Sequence, residues 1–118
     1  YRGMRFSLAD EGLLTVRMNP SLAGSVVANL VKNAFVHGDA GGEIAVTVAP
    51  RRLTVANSGA GGPLDAGHIF DRFYQGAKKE GSTGLGLAVV DAVCRLYGLK
   101  VAYSYINGRH CFTVEFPA

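Results

Sequence analysis

From Ser58 to Thr83 the sequence loses any hydrophobic period and gains glycine, broken only by a short apolar knot, Ile69-Phe70-Asp71-Arg72-Phe73-Tyr74. A loop this long is uncommon in a chain of 118 residues, and such loops are either functional lids or disordered segments. The regular elements must therefore come from the residues on either side of it. At 48% hydrophobic the chain has enough apolar material for one core and too little length for two domains, so a single domain over residues 1–118 is predicted.

Ahead of the loop, residues 3 to 8 and 13 to 18 read as two strands, the second alternating Leu14, Val16 and Met18, with the turn-like Ala9-Asp10-Glu11-Gly12 between them. Asn19-Pro20 then opens a helix. Asparagine is a good N-cap and proline suits the first helical position, while Leu22, Val26, Leu30 and Ala34 form an i, i+4 row that would face a core. The run Gly38 to Gly42 stops that helix. Two strands follow, Glu43 to Val48 and Leu53 to Asn57, close enough for a hairpin across Ala49-Pro50-Arg51-Arg52. Beyond the loop, Gly84 to Tyr97 returns to helical spacing and Gly98 is its expected C-cap. The strands Lys100 to Tyr105 and His110 to Phe116 are joined through Asn107-Gly108, a strong hairpin signal. The order β, β, α, β, β, loop, α, β, β pairs strands with their neighbours. It predicts an α/β two-layer sandwich, a mixed and largely antiparallel sheet covered on one face by helices.

Charge and cysteine usage exclude some functions. The formal net charge of +3 arises from scattered pairs such as Arg51-Arg52 and Lys78-Lys79, not from a basic stripe interleaved with aromatics, so nucleic acid is not the expected partner. No stretch approaches the roughly 20 apolar residues of a membrane helix, and no charged-then-apolar leader opens the chain. Cys94 and Cys111 fall in a helical and a strand pattern, where free cysteine acts as a small hydrophobe; a reducing, cytoplasmic setting is expected.

Three stretches carry chemistry. Asn29 and Asn33 stand four apart on the first helix, off its core row, and so share a second face. An amide oxygen is a hard neutral ligand that suits Mg²⁺ when phosphates supply the other donors, although two asparagines on an exposed face are also ordinary surface residues. Parity places Asn57 on the inward face of its strand with Leu53 and Val55, where its amide needs a partner and suits the edge of a nucleobase. Gly59 and Gly61 would let the backbone turn sharply beside a flat ligand; an Asn-Ser-Gly turn is the plainer alternative. Finally, Gly81-Ser82-Thr83-Gly84-Leu85-Gly86-Leu87 ends the loop and opens a helix, so bare N–H groups and the positive helix end would face whatever the loop covers. It lacks the Gly-Lys-Ser/Thr ending of a Walker loop and does not follow a strand as a dinucleotide fingerprint does.

These pieces, in this order and with a lid between the last two, resemble the GHKL (Bergerat-fold) superfamily of ATPases and kinases, and most closely the catalytic and ATP-binding domain of two-component sensor histidine kinases. Asn29 to Ala34 matches the N box, Asn57 to Gly61 the first glycine box, Ile69 to Tyr74 the F box and Gly81 to Leu87 the second glycine box. The resemblance implies that Asn33 coordinates Mg²⁺, that Asn29 lies near the terminal phosphate and that Asn57 stands where the family's adenine-reading Asp does. It implies phosphate contacts from Thr83, Gly84, Leu85 and Gly86, a lid over about residues 59–82 packed through Phe70, Phe73 and Tyr74, and reach to the phosphates from Arg72. His37, one turn beyond Asn33, could line the site.

Three positions depart from the family pattern. Asn57 keeps an oxygen to accept the adenine amino proton but carries no charge, and Val36 and Gln75 stand where basic residues are common, leaving Arg72, Lys78 or Lys79 to neutralise phosphate. None of His37, His68 and His110 sits in the acidic helical setting of a phosphoacceptor, so the accepting histidine is expected on another domain, to which Tyr1-Arg2-Gly3-Met4 would lead. The implied function is binding of Mg-ATP and transfer of its γ-phosphate to that histidine, on the dimerisation domain of the same protein, with a response regulator downstream. The expected location is cytoplasmic, in a full-length protein either soluble or membrane-anchored. Two alternatives remain open from the residues: a degenerate ATP-binding or docking module, and a serine kinase of the anti-sigma type.

Overall fold

The computed structural model describes residues 5–12, 14, 17–38, 42–59, 61–71 and 85–117. Within them the chain runs β1 (Arg5–Asp10), α1 (Pro20–His37), β2 (Glu43–Ala49), β3 (Arg52–Ser58), α2 (Gly86–Tyr97), β4 (Lys100–Ile106) and β5 (Arg109–Glu115). The strands form one sheet in the order β1-β2-β3-β5-β4; β1 and β2 are parallel and every other pair is antiparallel. This is the mixed two-layer sandwich that the element order predicts.

Local chemistry sets the element ends. The Asn19 side-chain oxygen accepts from the backbone of Ser21 at 2.8 Å and Leu22 at 3.3 Å, satisfying two N–H groups that the first turn of α1 leaves over, and Pro20 gives up none. The Asn19 N–H donates to the Tyr97 hydroxyl at 3.1 Å, which ties the start of α1 to the end of α2. Gly98 closes α2 with its N–H on the carbonyls of Arg95 and Cys94. Asn107 and Gly108 both take positive φ, 53° and 74°, the geometry a two-residue hairpin needs to follow strand twist.

Period-two and i, i+4 patterning meet in one core. Val26, Leu30 and Ala34 of α1 and Val90, Val93 and Cys94 of α2 are buried against Ile44, Val46, Leu53, Val55, Phe112 and Val114 of the sheet. Burial pushes the Cys94 thiol up, with Asp91 adding to it, so this cysteine behaves as the inert hydrophobe expected. By strand parity the opposite face carries Ala45, Thr47, Thr54, Ala56, Cys111 and Thr113.

Several boundaries and one expected strand differ from the sequence reading. The first strand runs Arg5–Asp10, two residues past the expected end at residue 8, while residues 3 and 4 lie outside the described residues. The strand expected over 13 to 18 is not present at Leu14, Arg17 or Met18, while Leu13, Thr15 and Val16 lie outside the described residues. Gly12 explains the change: it has φ 142°, its N–H bonds the Asp10 carboxylate at 3.0 Å, and a Cβ there would run into the Pro50 ring. The chain leaves the sheet at that point. Leu14 and Met18 instead pack on the core from outside the sheet, so their alternation marks burial without strand pairing. The second helix begins at Gly86, two residues after the expected start; Gly84 is outside the described residues.

Candidate functional site

The cross-strand register builds one end of the site. Ile44, Asn57, His110 and Tyr105 lie side by side in a row across β2, β3, β5 and β4, on the face that the helices cover. Asn57 is 1% exposed, as its parity demands. Its Nδ2 donates to the Ser58 carbonyl at 3.2 Å, which fixes which way the amide is turned, and its Oδ1 has no hydrogen-bond partner among the described residues. An acceptor buried in this way costs about 1–3 kcal/mol. A buried oxygen with nothing to accept is suited to a donor brought in by a ligand, such as an exocyclic amine.

The segment after Asn57 is held tightly where it starts. The Ser58 hydroxyl accepts from the Glu43 N–H at 2.9 Å, and the Gly59 N–H extends the ladder to the Gly108 carbonyl at 2.9 Å. Gly59 lies against the His110 imidazole so closely that a Cβ would collide with the ring; Gly61 stands in open space. The sharp approach expected at Gly59 is thus made to a protein ring, and no such constraint acts at Gly61. Further on, Ile69 is buried and Phe70 meets Phe112 edge-on at 6.2 Å, so the start of the apolar knot is anchored to the core. Phe73 and Tyr74 lie outside the described residues, as do Arg72, Thr83, Gly84 and the later half of the expected lid.

The two helices build the other end. Asn29 and Asn33 are both half-buried on α1. Asn29 Nδ2 donates to the Ser25 carbonyl at 2.8 Å, and a Cβ on Gly86, the first residue of α2, would lie 3.0 Å from Asn29 Oδ1. A side chain at position 86 would therefore fill the space at the amide oxygen, and the positive end of α2 opens there with no side-chain cap. Leu85 and Gly86 are half-buried at this mouth. His37 ends α1, but its side chain is outside the described residues. Among the described residues no group of three or more His, Cys, Asp or Glu could hold a metal ion. A divalent cation here would depend on amide oxygen and on a ligand's own phosphates.

His68 is exposed, with its Nδ1 3.0 Å from Asp65 Oδ2. The hydrogen bond to Asp65, helped by the carboxylate charges of Asp65 and Asp71, holds the His68 imidazole above its ordinary value. The same bond and the Gly67 N–H hold Asp65 below its own.

Residues 18–118 match the family described as histidine kinase-, DNA gyrase B- and HSP90-like ATPases. The chain belongs to this ATPase family. Among its relatives, sensor histidine kinase RppB of a Synechocystis species is 32% identical over 109 residues, 84% of this chain and 24% of that protein. Heme sensor protein HssS of Staphylococcus saprophyticus is 29% identical over 115 residues, 92% of this chain and 25% of that protein. The chain thus spans about a quarter of the length of the curated relatives it matches. In fold it is similar to the catalytic domain of histidine kinase ThkA, with a TM-score of 0.84 at 24% identity over 98% of this chain and 80% of that one. The mycobacterial sensor histidine kinase MprB gives 0.79 at 22% identity over 98% and 86%. A full-length ShkA solved in complex with AMPPNP gives 0.75 at 24% over 99% and 27%.

Within this histidine kinase-like ATPase fold, the sequence motifs drew attention to Asn29, Asn57 and Gly86, and the structure brings Asn29 and Gly86 together. It adds Tyr103 and Tyr105 to the Asn57 end and gives His110 a place there. The signal for these was strand parity: Tyr103 and Tyr105 share the inward phase of β4, and His110 that of β5 with Phe112 and Val114.

Proposed function

We propose that this chain binds Mg-ATP and presents the γ-phosphate to a histidine on a separate dimerisation and phosphoacceptor domain, in a cytoplasmic two-component pathway with a response regulator downstream. The observation that carries the reading is the orphaned Oδ1 of Asn57, a buried acceptor aimed for a donor such as the adenine amino group. The close seat of Asn29 against Gly86 suits phosphates for a second reason: a bare helix start supplies N–H groups and partial positive charge.

In this reading Asn57 accepts from the base, Asn29 and the start of α2 with Leu85 and Gly86 orient the phosphates, and Asn33 holds Mg²⁺. The cation supplies charge neutralisation for the phosphoryl groups. Thr83 and Gly84 add backbone contacts, Arg72 adds charge, and Gly59, Gly61 and His37 line the cleft. The protein contributes position and electrostatics, and the nucleophile comes from the partner domain. No described helix is long and apolar enough to cross a membrane.

The test is a thermal shift of the chain with ATP or ADP, with and without Mg²⁺, followed by transfer to an added acceptor domain. A rise of several degrees at millimolar nucleotide and an acid-labile phosphohistidine on the acceptor are expected, and Asn33→Ala should remove the Mg²⁺-dependent part. No shift at millimolar nucleotide, or bound ATP with no phosphohistidine on the cognate acceptor, refutes the reading.

A further inference from the structure

Among the described residues, the two helices turn little charge toward water. Beyond the first turn of α1 the exposed residues are Gly24, Val27, Ala28 and Lys32, with Val27 44% exposed. On α2 they are Val89, Ala92, Arg95 and Leu96; Leu96 is 70% exposed and Val89 38%, while Arg95 is paired with Asp91 at 2.9 Å. A helix that buries one face in its own core ordinarily turns charged residues to solvent on the other. These two helices turn apolar residues both ways, and they pack side by side over the same core. An apolar surface of this kind marks a place that another molecule covers.

We infer that the outward face of the helix layer is where a second copy of this chain docks, with α2 against α2 in antiparallel register. The residue spacing selects that occupant. Leu85, Val89, Ala92 and Leu96 follow one another at intervals of 4, 3 and 4, the a/d repeat of a helix-pairing seam, on a side of α2 distinct from the buried Val90, Val93 and Cys94. The row is complementary to itself. Against a copy that runs antiparallel, Leu85 meets Leu96 of the copy and Val89 meets Ala92 of the copy, large against small at the middle, so the two axes can approach closely. A two-fold axis lying in the interface makes all four contacts at once and also sets α1 over α1, where Gly24 has open space beside it.

The size of the face sets the strength of the dimer. Helices of 18 and 12 residues are about 27 and 18 Å long and lie about 10 Å apart, which gives a footprint on the order of 500 Å² for each copy. Stable interfaces bury about 800 Å² per partner, so this one should be reversible. Its contacts are apolar, and salt should leave it intact. The inference goes beyond the proposed function and does not depend on it.

Sedimentation velocity on the 118-residue chain from about 10 µM to about 1 mM tests it. The wild type should pass from monomer to dimer with a midpoint on the order of 100 µM, unchanged in about 0.5 M NaCl. Leu96→Lys and Val89→Glu each place a charge against an apolar side chain of the copy and should weaken the dimer at least about 10-fold. Both positions are exposed in the monomer, so melting temperatures should stay within about 3 °C of the wild type; if one variant does not fold, the other decides. Phe6→Glu, at a position 54% exposed on the β1 edge, should leave the dimer intact. A wild type that stays monomeric to about 1 mM overturns the inference, as does a dimer that Leu96→Lys and Val89→Glu leave unchanged or that Phe6→Glu breaks. A monomer that binds an added helical acceptor domain, and loses that binding in Leu96→Lys, assigns the face to that domain and overturns the second copy.

Discussion

Replacing Gly86 with alanine should separate the stability of this domain from its proposed activity. The added Cβ would sit 3.0 Å from Asn29 Oδ1, 3.7 Å from its Cγ and 3.8 Å from its Cβ, so the amide must shift by a few tenths of an ångström. That amide has little freedom, because its nitrogen donates to the Ser25 carbonyl at 2.8 Å. A contact from Asn29 to phosphate would be a hydrogen bond to a charged group, worth about 1.5–3 kcal/mol, and its loss weakens ATP binding about 10- to 100-fold. Stability should move the other way. Alanine is favoured over glycine in a helix by up to about 1 kcal/mol and restricts the unfolded chain, which offsets the cost of moving one amide. Gly24→Ala is the control, since α1 has open space there: stability should rise by about 1 kcal/mol, or about 4 °C in Tm, with ATP affinity unchanged. Thermal melts and ATP calorimetry on the three proteins read both quantities. Gly86→Ala that binds ATP as the wild type does would refute the seating of phosphate between Asn29 and α2. Parallel losses of stability and affinity would reduce Gly86 to a packing residue.

Asn57→Leu removes the orphaned buried oxygen at similar volume, so urea denaturation should show the free protein about 1 kcal/mol more stable, while nucleotide affinity falls at least about 10-fold; a destabilised variant contradicts this. Asn19→Ala loses the cap on Ser21 and Leu22 and should lower stability by about 1 kcal/mol with ADP affinity unaltered, as melts and calorimetry together will show. For the Asp65–His68 turn, the raised His68 contributes stability below 6.5 that is lost as pH rises through its folded value. The lowered Asp65 contributes above 3.8 and loses its part as pH falls through its own folded value, so the turn is firmest between those limits. An NMR titration should find His68 above 6.5, and Asp65→Asn should lower it toward that value with Asp71 still raising it; an unmoved His68 removes the ion pair as the cause.

Periodic elements were readable because each carries its signal in a short window. The row Val26, Leu30, Ala34, the capping Asn19 and the inward parity of Asn57 all appear in the structure as the spacing demands. Segment 13 to 18 misled for a physical reason: alternation reports which side chains are buried, and Leu14 and Met18 are packed on the core without strand partners. The surroundings of Asn57 were harder to see, because they depend on register. Ile44, Asn57, His110 and Tyr105 come from four strands and become neighbours only once the sheet is assembled. That row changes how Asn57 is to be understood. An amide has no charge with which to order its own pocket, and here the residue paired with it across the ladder is an imidazole braced by two phenols that hold the adjoining chain. Position 57 and position 110 therefore form one feature. A carboxylate introduced by Asn57→Asp would act on His110 as well as on a ligand, favouring the protonated form of the ring beside it.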